Sequence, residues 1–196
     1  VPIGDVVVRQ VCRQIGLWRA AGIQPGRIAI NLSRNNFQRG ASIARVSEAI
    51  LAAGVEAGQI EFEVSEAVTF GARGEAVVDA LVELRRQGFS IALDDFGIGH
   101  ASLTHLRRLP VDTIKLDRSF IVDMANSVAD RALVRAVAGL GRDLGMRVLA
   151  EGIETEQQAA AVQELGCECG QGYLFGHPME VGVATGWLER LARSDM

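Results

Sequence analysis

The segment Ser90-Ile91-Ala92-Leu93-Asp94-Asp95 begins as an apolar run and ends in two aspartates. An amphipathic stretch over residues 75–88 precedes it, with apolar side chains at helical spacing. A helix followed by a short apolar strand is one unit of an alternating α/β chain. The unit recurs on both sides, with strands predicted over residues 28–33, 60–64, 113–117, 147–151 and 169–173, and helices over 6–18, 41–53, 103–109, 129–145, 155–165 and 183–192.

Six short strands joined by helices favour parallel pairing through right-handed crossovers. This pattern fits either an open doubly wound sheet or an eight-stranded barrel that lacks its opening strands. A Gly-x-Gly-x-x-Gly motif after an early strand would favour the doubly wound sheet as a dinucleotide-binding fold, and the sequence has none. The chain of 196 residues is also short for a complete barrel, which needs about 250 residues.

Polar side chains at the strand ends favour the barrel. Each predicted strand runs through apolar residues and then meets a side chain that an ordinary core avoids. In a parallel barrel all these ends open on one face, so residues far apart in sequence converge there. Buried carboxylates without partners cost several kcal/mol each, a cost that divalent cations offset. The residues are Asn31, Glu63, Asp94, Lys115, Glu151 and Gln171.

Composition narrows the class of protein. Hydrophobic residues make up 48% of the chain and the net charge is -4, which is typical of a globular domain and gives no basic footprint for DNA or RNA. The sequence has no membrane-spanning run and no signal peptide pattern. Three cysteines are an odd number, and Cys167 lies only two residues from Cys169. We therefore expect reduced thiols, no structural zinc, and a cytoplasmic domain without membrane contact of its own.

The strand ends carry motifs that resemble those of the EAL family of cyclic di-GMP phosphodiesterases. The motifs follow one another in the family's order over some 145 residues. They are Asn31-Leu32-Ser33, Glu63-Val64-Ser65-Glu66, Asp94-Asp95-Phe96-Gly97-Ile98-Gly99, Leu109-Pro110-Val111-Asp112-Thr113-Ile114-Lys115-Leu116-Asp117, Ala150-Glu151-Gly152-Ile153-Glu154 and Gln171-Gly172-Tyr173-Leu174-Phe175. The resemblance implies a TIM-like (β/α) barrel and hydrolysis of cyclic di-GMP to linear pGpG with Mg²⁺ or Mn²⁺ in a two-metal site.

The resemblance also implies a role for each matching position. Metal ligands would be Asn31, Glu63, Asp94, Asp95 and Glu151. The catalytic group would comprise Lys115, Glu151 and Gln171. Glu66 would anchor the glycine-rich loop of residues 95–102, together with Ser102, and Glu154 would pair with Lys115. Phe175 and Pro178 would contact the substrate.

Each residue taken alone also has an ordinary explanation as a turn residue, a helix N-cap, a solvated carboxylate or a surface ion pair. Their joint placement at six successive strand ends favours the functional interpretation. A non-catalytic module that binds cyclic di-GMP remains the alternative, as does a structural barrel without a nucleotide site. The retained ligand and lysine positions favour the enzyme.

The Glu-Ala-Leu strand that names the family would lie before Val1. We therefore expect residues 1–196 to form a single EAL-type domain, truncated upstream of residue 1 and incomplete as a barrel at its N-terminus. By itself this fragment should bind metal more weakly and turn over cyclic di-GMP poorly. The resemblance further implies a homodimer and upstream regulatory domains in the parent protein.

Overall fold

The computed structural model describes residues 3–38, 42–69, 74–99, 106–124 and 127–194. Helices and strands alternate along the chain, as the sequence predicts. The elements are α1 Ile3–Ala20, β1 Ile28–Leu32, α2 Arg34–Gln38, α3 Ser42–Ala52, β2 Ile60–Ser65, α4 Glu66–Thr69, α5 Gly74–Arg86, β3 Ser90–Phe96, β4 Thr113–Leu116, α6 Ser119–Val122, α7 Val128–Leu144, β5 Arg147–Ala150, α8 Glu156–Glu164, β6 Cys169–Gly170 and α9 Val181–Ser194, with a 3₁₀ turn at Ala57–Gln59.

The strands are hydrogen-bonded to one another in chain order, from β1 to β6. Pairing is parallel from β3 to β6, with Ile114 opposite Leu93 and Lys115 opposite Leu149. The predicted parallel α/β fold is therefore confirmed. Parallel strands bury both faces, which explains why β2 and β4 are buried almost throughout, including the polar residues Glu61, Glu63, Thr113 and Lys115.

Differences from the predicted elements are local. Strand β6 has only two residues and ends before Gln171. The short helices α2, α4 and α6 were not predicted, because four or five residues are too few to show a helical period. Of the helix expected over residues 103–109, residues 103–105 lie outside the described part of the chain.

The chain divides into two compact units. The first comprises Val1–Phe62, Val82–Ser90 and Pro178–Met196. Its core contains Phe62 and Phe89, whose ring centroids lie 5.1 Å apart. The indole Nε1 of Trp18 donates a 2.8 Å hydrogen bond to Thr185 Oγ1, which joins α1 to α9.

The second unit comprises Glu63–Leu81 and Ile91–His177. Its core is formed by apolar residues of β3, β4 and β5 and by the inner face of α7. Helix α7 begins at a Ser127 N-cap and ends at Gly145 in the left-handed conformation, so both helix ends have satisfied backbone groups. In the described residues, no helix is both long and apolar enough to cross a membrane.

Candidate functional site

A buried lysine lies at the centre of the candidate site in the second unit. Lys115, in β4, is only 4% exposed. Its Nζ lies 2.7 Å from Glu63 Oε1, 2.8 Å from Glu151 Oε1 and 3.3 Å from Asp94 Oδ1. Three carboxylates from three other strand ends therefore meet one ammonium group, and the predicted convergence of these four residues is observed.

The charges at the site shift one another's protonation. Burial disfavours the charged form of Lys115, but hydrogen bonds to Glu151 and Glu63 outweigh burial and raise the pKa of Lys115. Burial raises the pKa of Glu151, and the hydrogen bond from Lys115 opposes that shift. Lys115 is therefore protonated near neutral pH, which suits it to stabilise negative charge rather than to accept a proton.

The two aspartates occupy an irregular end of β3. Pairing with β4 shifts register between Leu93 and Phe96, and Asp95 has a positive φ of 56°. Aspartate tolerates this left-handed conformation better than most residues do. The backbone N–H of Asp95 donates to Asp94 Oδ1 at 3.1 Å. The irregularity lets both consecutive side chains approach the site, although successive residues of a regular strand point to opposite faces.

A metal-compatible group lies beside the lysine. Asp94, Asp95 and Glu151 each offer a carboxylate oxygen, and these oxygens lie within 4.8 Å of one another. Burial raises the pKa of Asp95, and the charge of Asp94 adds to that shift. Clustered carboxylate oxygens are the ligands that Mg²⁺ and Mn²⁺ prefer, so the side chains present fit a hard divalent cation.

Glu66 is buried and connects α4 to the loop after β3. Its Oε1 accepts a 3.0 Å hydrogen bond from the backbone N–H of Gly97. The Glu66 carboxylate also fills the space where a Cβ would stand at residue 99, so a larger residue there would force that carboxylate to shift. Glu66 thus holds the described part of the loop, residues 95–99. Ser102, the predicted second anchor, lies outside the described residues.

The predicted pairing of Glu154 with Lys115 is wrong. Glu154 Oε1 lies 2.8 Å from Arg118 Nη2, whereas Lys115 contacts Glu63, Asp94 and Glu151. Glu154 is three residues beyond Glu151, in the turn after β5, and its exposed carboxylate meets an arginine from the end of β4. Arg118 was not singled out from the sequence; its only signal was its position directly after the Lys115-Leu116-Asp117 motif.

For the remaining predicted residues, the structure gives a place in the fold but does not test a role at the carboxylate cluster. Asn31 lies on β1 in the first unit with an exposed side chain. Gln171 follows β6; its backbone N–H donates to Ala150 O and its carbonyl accepts from Ile153 N, while its side chain is exposed. Phe175 and Pro178 are exposed. Their predicted roles stay predictions.

Sequence comparison identifies relatives over nearly all of the chain. The EAL domain model matches residues 1–178. The bifunctional diguanylate cyclase/cyclic di-GMP phosphodiesterase MucR of Pseudomonas aeruginosa is 38% identical over 179 residues, which are 91% of this chain and 26% of that protein. The cyclic di-GMP phosphodiesterase NbdA of the same bacterium is 37% identical over 95% of this chain and 24% of its own length. This chain thus spans about a quarter of these relatives.

Solved structures agree with the sequence matches. The PaMucR phosphodiesterase in complex with c-di-GMP has a TM-score of 0.85 and 38% identity, covering 92% of this chain and 73% of that one. The EAL domain of Mycobacterium smegmatis DcpA has a TM-score of 0.88 and 32% identity, covering 96% and 84%. A manganese/cy-diGMP complex of Klebsiella pneumoniae BlrP1 has a TM-score of 0.77 and 30% identity, covering 86% and 42%. Both the motifs and the fold therefore place this chain in the EAL domain family.

Proposed function

We propose that this chain hydrolyses one phosphodiester bond of cyclic di-GMP to give linear pGpG, with Mg²⁺ or Mn²⁺ as cofactor. The observation that carries the proposal is the convergence of Asp94, Asp95 and Glu151 within 4.8 Å, beside the buried cation Lys115. Two relatives, MucR and NbdA, are named as cyclic di-GMP phosphodiesterases. A solved relative contains both manganese and the dinucleotide.

The cluster supplies the charges that phosphodiester hydrolysis needs. The metal would be held by Asp94, Asp95 and Glu151, with Glu63 and Asn31 as the further proposed ligands. When bound, divalent cations lower the pKa of water and stabilise charge on the attacking and leaving oxygens.

The other residues act by holding charge or position. Lys115 keeps its proton and places a positive charge next to the carboxylates, where it would stabilise the anionic transition state. Gln171, fixed through its backbone at the end of β6, would orient the attacking water. Glu66 holds the loop after β3, and Phe175 and Pro178 would contact the dinucleotide. Residues 1–196 form the catalytic domain in this proposal, which extends to a homodimer with regulatory domains elsewhere in the protein.

A cleavage assay with a matched variant tests the proposal. The chain is incubated with cyclic di-GMP in Mg²⁺, Mn²⁺, Ca²⁺ or chelator, and pGpG is separated by chromatography. We expect slow formation of pGpG in Mg²⁺ or Mn²⁺, as predicted for residues 1–196 alone, and none in chelator. Because Glu151 is a proposed ligand, Glu151→Gln should lose at least the roughly 100-fold that removal of a partner behind a ligand can cost. Glu164→Gln, which neutralises an exposed carboxylate on α8, is the control and should retain the activity.

Binding measured in the same conditions separates the alternatives. Cyclic di-GMP that binds in Mg²⁺ and Mn²⁺ without being cleaved would identify a non-catalytic binding module and refute the hydrolase proposal. If cyclic di-GMP is neither bound nor cleaved even when Mg²⁺ or Mn²⁺ is raised until the metal site is saturated, the chain is a structural domain. Equal activity of Glu151→Gln and the unmodified chain would refute the assigned site.

A further inference from the structure

The turn after β5 carries Glu151 and is held on one side by β6 and its following loop. Glu151 is the first residue beyond β5, and its backbone N–H donates to Leu116 O at 3.1 Å. Two residues later, Ile153 N donates to Gln171 O at 3.0 Å, and Ile153 O accepts from Leu174 N at 3.1 Å. Hydrogen bonds thus fix the backbone of the turn toward the neighbouring strands.

Arg118 contacts the turn at two points. The backbone at Gly152 has a positive φ of 73°, and a Cβ there would lie 2.7 Å from Arg118 Cβ and 2.9 Å from Arg118 Cδ. The aliphatic stem of Arg118 therefore packs directly on the glycine. Beyond the stem, the guanidinium Nη2 lies 2.8 Å from Glu154 Oε1. Arg118 spans the turn from Gly152 to Glu154 and contacts the residue that follows Glu151.

We propose that Arg118 is a positioning residue that fixes the turn and thereby aims the Glu151 carboxylate at the metal group. The role in turnover rests on the proposed phosphodiesterase function, whereas the role in metal binding does not. Glu151 Oε1 must stay both 2.8 Å from Lys115 and close to the oxygens of Asp94 and Asp95. A turn free to move would lose that geometry, and the three heavy atoms nearest to a Cβ built on Gly152 all belong to Arg118.

An exposed ion pair by itself contributes little to stability. We therefore expect the Arg118–Glu154 pair to act mainly by holding the turn after β5 in place. The side chains of Arg118 and Glu154 are 57% and 41% exposed. A purely structural role would therefore show up as a small change in unfolding and no change in metal affinity. A positioning role predicts a weaker metal affinity with little change in unfolding.

The test measures Mn²⁺ affinity by calorimetry for Arg118→Ala, Arg118→Met and Arg118→Lys. Partners behind a metal ligand typically change metal affinity by 10-fold to 100-fold, and we expect about a tenfold weaker affinity for Arg118→Ala. Arg118→Met keeps the stem and should lose less, and Arg118→Lys keeps stem and charge and should stay within about threefold of the unmodified chain. Arg131→Ala, which removes the 3.8 Å pair with Glu164 between α7 and α8, is the matched control and should not change Mn²⁺ affinity.

The outcomes decide between the roles. Unchanged Mn²⁺ affinity in Arg118→Ala overturns the proposal, and so does a loss that Arg118→Lys fails to rescue and that parallels a lower unfolding midpoint. With cyclic di-GMP, Arg118→Ala should lower kcat more than it raises KM, since the dinucleotide does not have to touch Arg118 in this proposal. A chain that hydrolyses no cyclic di-GMP but shows the expected order of Mn²⁺ affinities would refute the proposed function and leave the positioning role standing.

Discussion

Replacement of Lys115 by methionine tests whether the lysine balances the charge of the cluster. Methionine has a similar length and flexibility, so the substitution removes the ammonium group with little change in volume. Three carboxylate oxygens at 2.7, 2.8 and 3.3 Å then lose their cationic partner. The side chains of Glu63 and Glu151 are only 8% and 18% exposed, so water cannot replace the lost interactions fully.

The expected loss follows from the cost of leaving one partner of a buried pair uncompensated. That cost is about 3 to 5 kcal/mol. For a chain of this size, 1 kcal/mol lowers Tm by about 2 to 4 °C, so Lys115→Met should lower Tm by about 6 to 20 °C. Because the loss is one of charge, Mn²⁺ should restore more stability to Lys115→Met than to the unmodified chain.

Urea unfolding followed by circular dichroism, with and without Mn²⁺, measures both effects. Arg86→Met, which removes an exposed pair with Glu83 on α5, is the control and should unfold like the unmodified chain. A loss below about 1 kcal/mol for Lys115→Met would show that the carboxylates do not depend on the lysine. A loss that Mn²⁺ leaves unchanged would point to packing and would refute the charge argument.

Three further predictions concern other parts of the second unit. Burial, with a smaller effect of Cys169, raises the pKa of the Cys167 thiol from 9.0 to about 11. Between these two pH values the folded chain keeps a proton that the unfolded chain releases. About 2 to 3 kcal/mol of stability present below pH 9 should therefore be lost as the pH rises to 11. Urea unfolding across that range should show a shallower decline for Cys167→Ala, and identical slopes would contradict the assignment. Thr155→Ala removes the capping box at the start of α8 and should cost about 1 kcal/mol in the same assay, with no change in Mn²⁺ affinity. Gly99→Ala places a Cβ where the Glu66 carboxylate stands. It should therefore lower cyclic di-GMP hydrolysis by about tenfold while Tm changes little. Full activity of this variant would show that the loop does not depend on the contact with Glu66.

Hydrophobic periodicity predicted the longer helices and strands because apolar residues recur several times along each of them. Helix α7, expected over residues 129–145, spans Val128–Leu144, and β2 and β3 differ from expectation by one residue at an end. The length of strand β6 was overestimated, since the chain bends at Gly172 and turns over residues 173–175, which local composition does not reveal. The short helices were missed because too few residues define their period.

The site was predictable where strand order alone sets position. Glu63, Asp94, Lys115 and Glu151 each lie at or next to the end of a parallel strand, so their convergence follows from topology. The partner of Glu154 depended instead on the path of the chain after β4 and on the close contact of Arg118 with Gly152. Neither feature has a sequence period, and three-residue spacing from Glu151 gave no information about which cation Glu154 would meet.

The charge of the cluster explains why such an arrangement would be retained at a cost in stability. Glu63, Asp94, Asp95 and Glu151 supply four negative charges when ionised, and Lys115 supplies one positive charge, which leaves an excess of three. One divalent cation would reduce that excess to one negative charge, and two would convert it to one positive charge. A phosphodiester group carries one negative charge, so the two-metal form would attract the substrate and the metal-free form would repel it. Burial is the main cause of the raised pKa values of Asp95 and Glu151, and the charge of Asp94 adds to both shifts. The excess negative charge and the proposed function therefore have the same origin, in four carboxylates whose charge would be balanced only when metal and substrate are bound together.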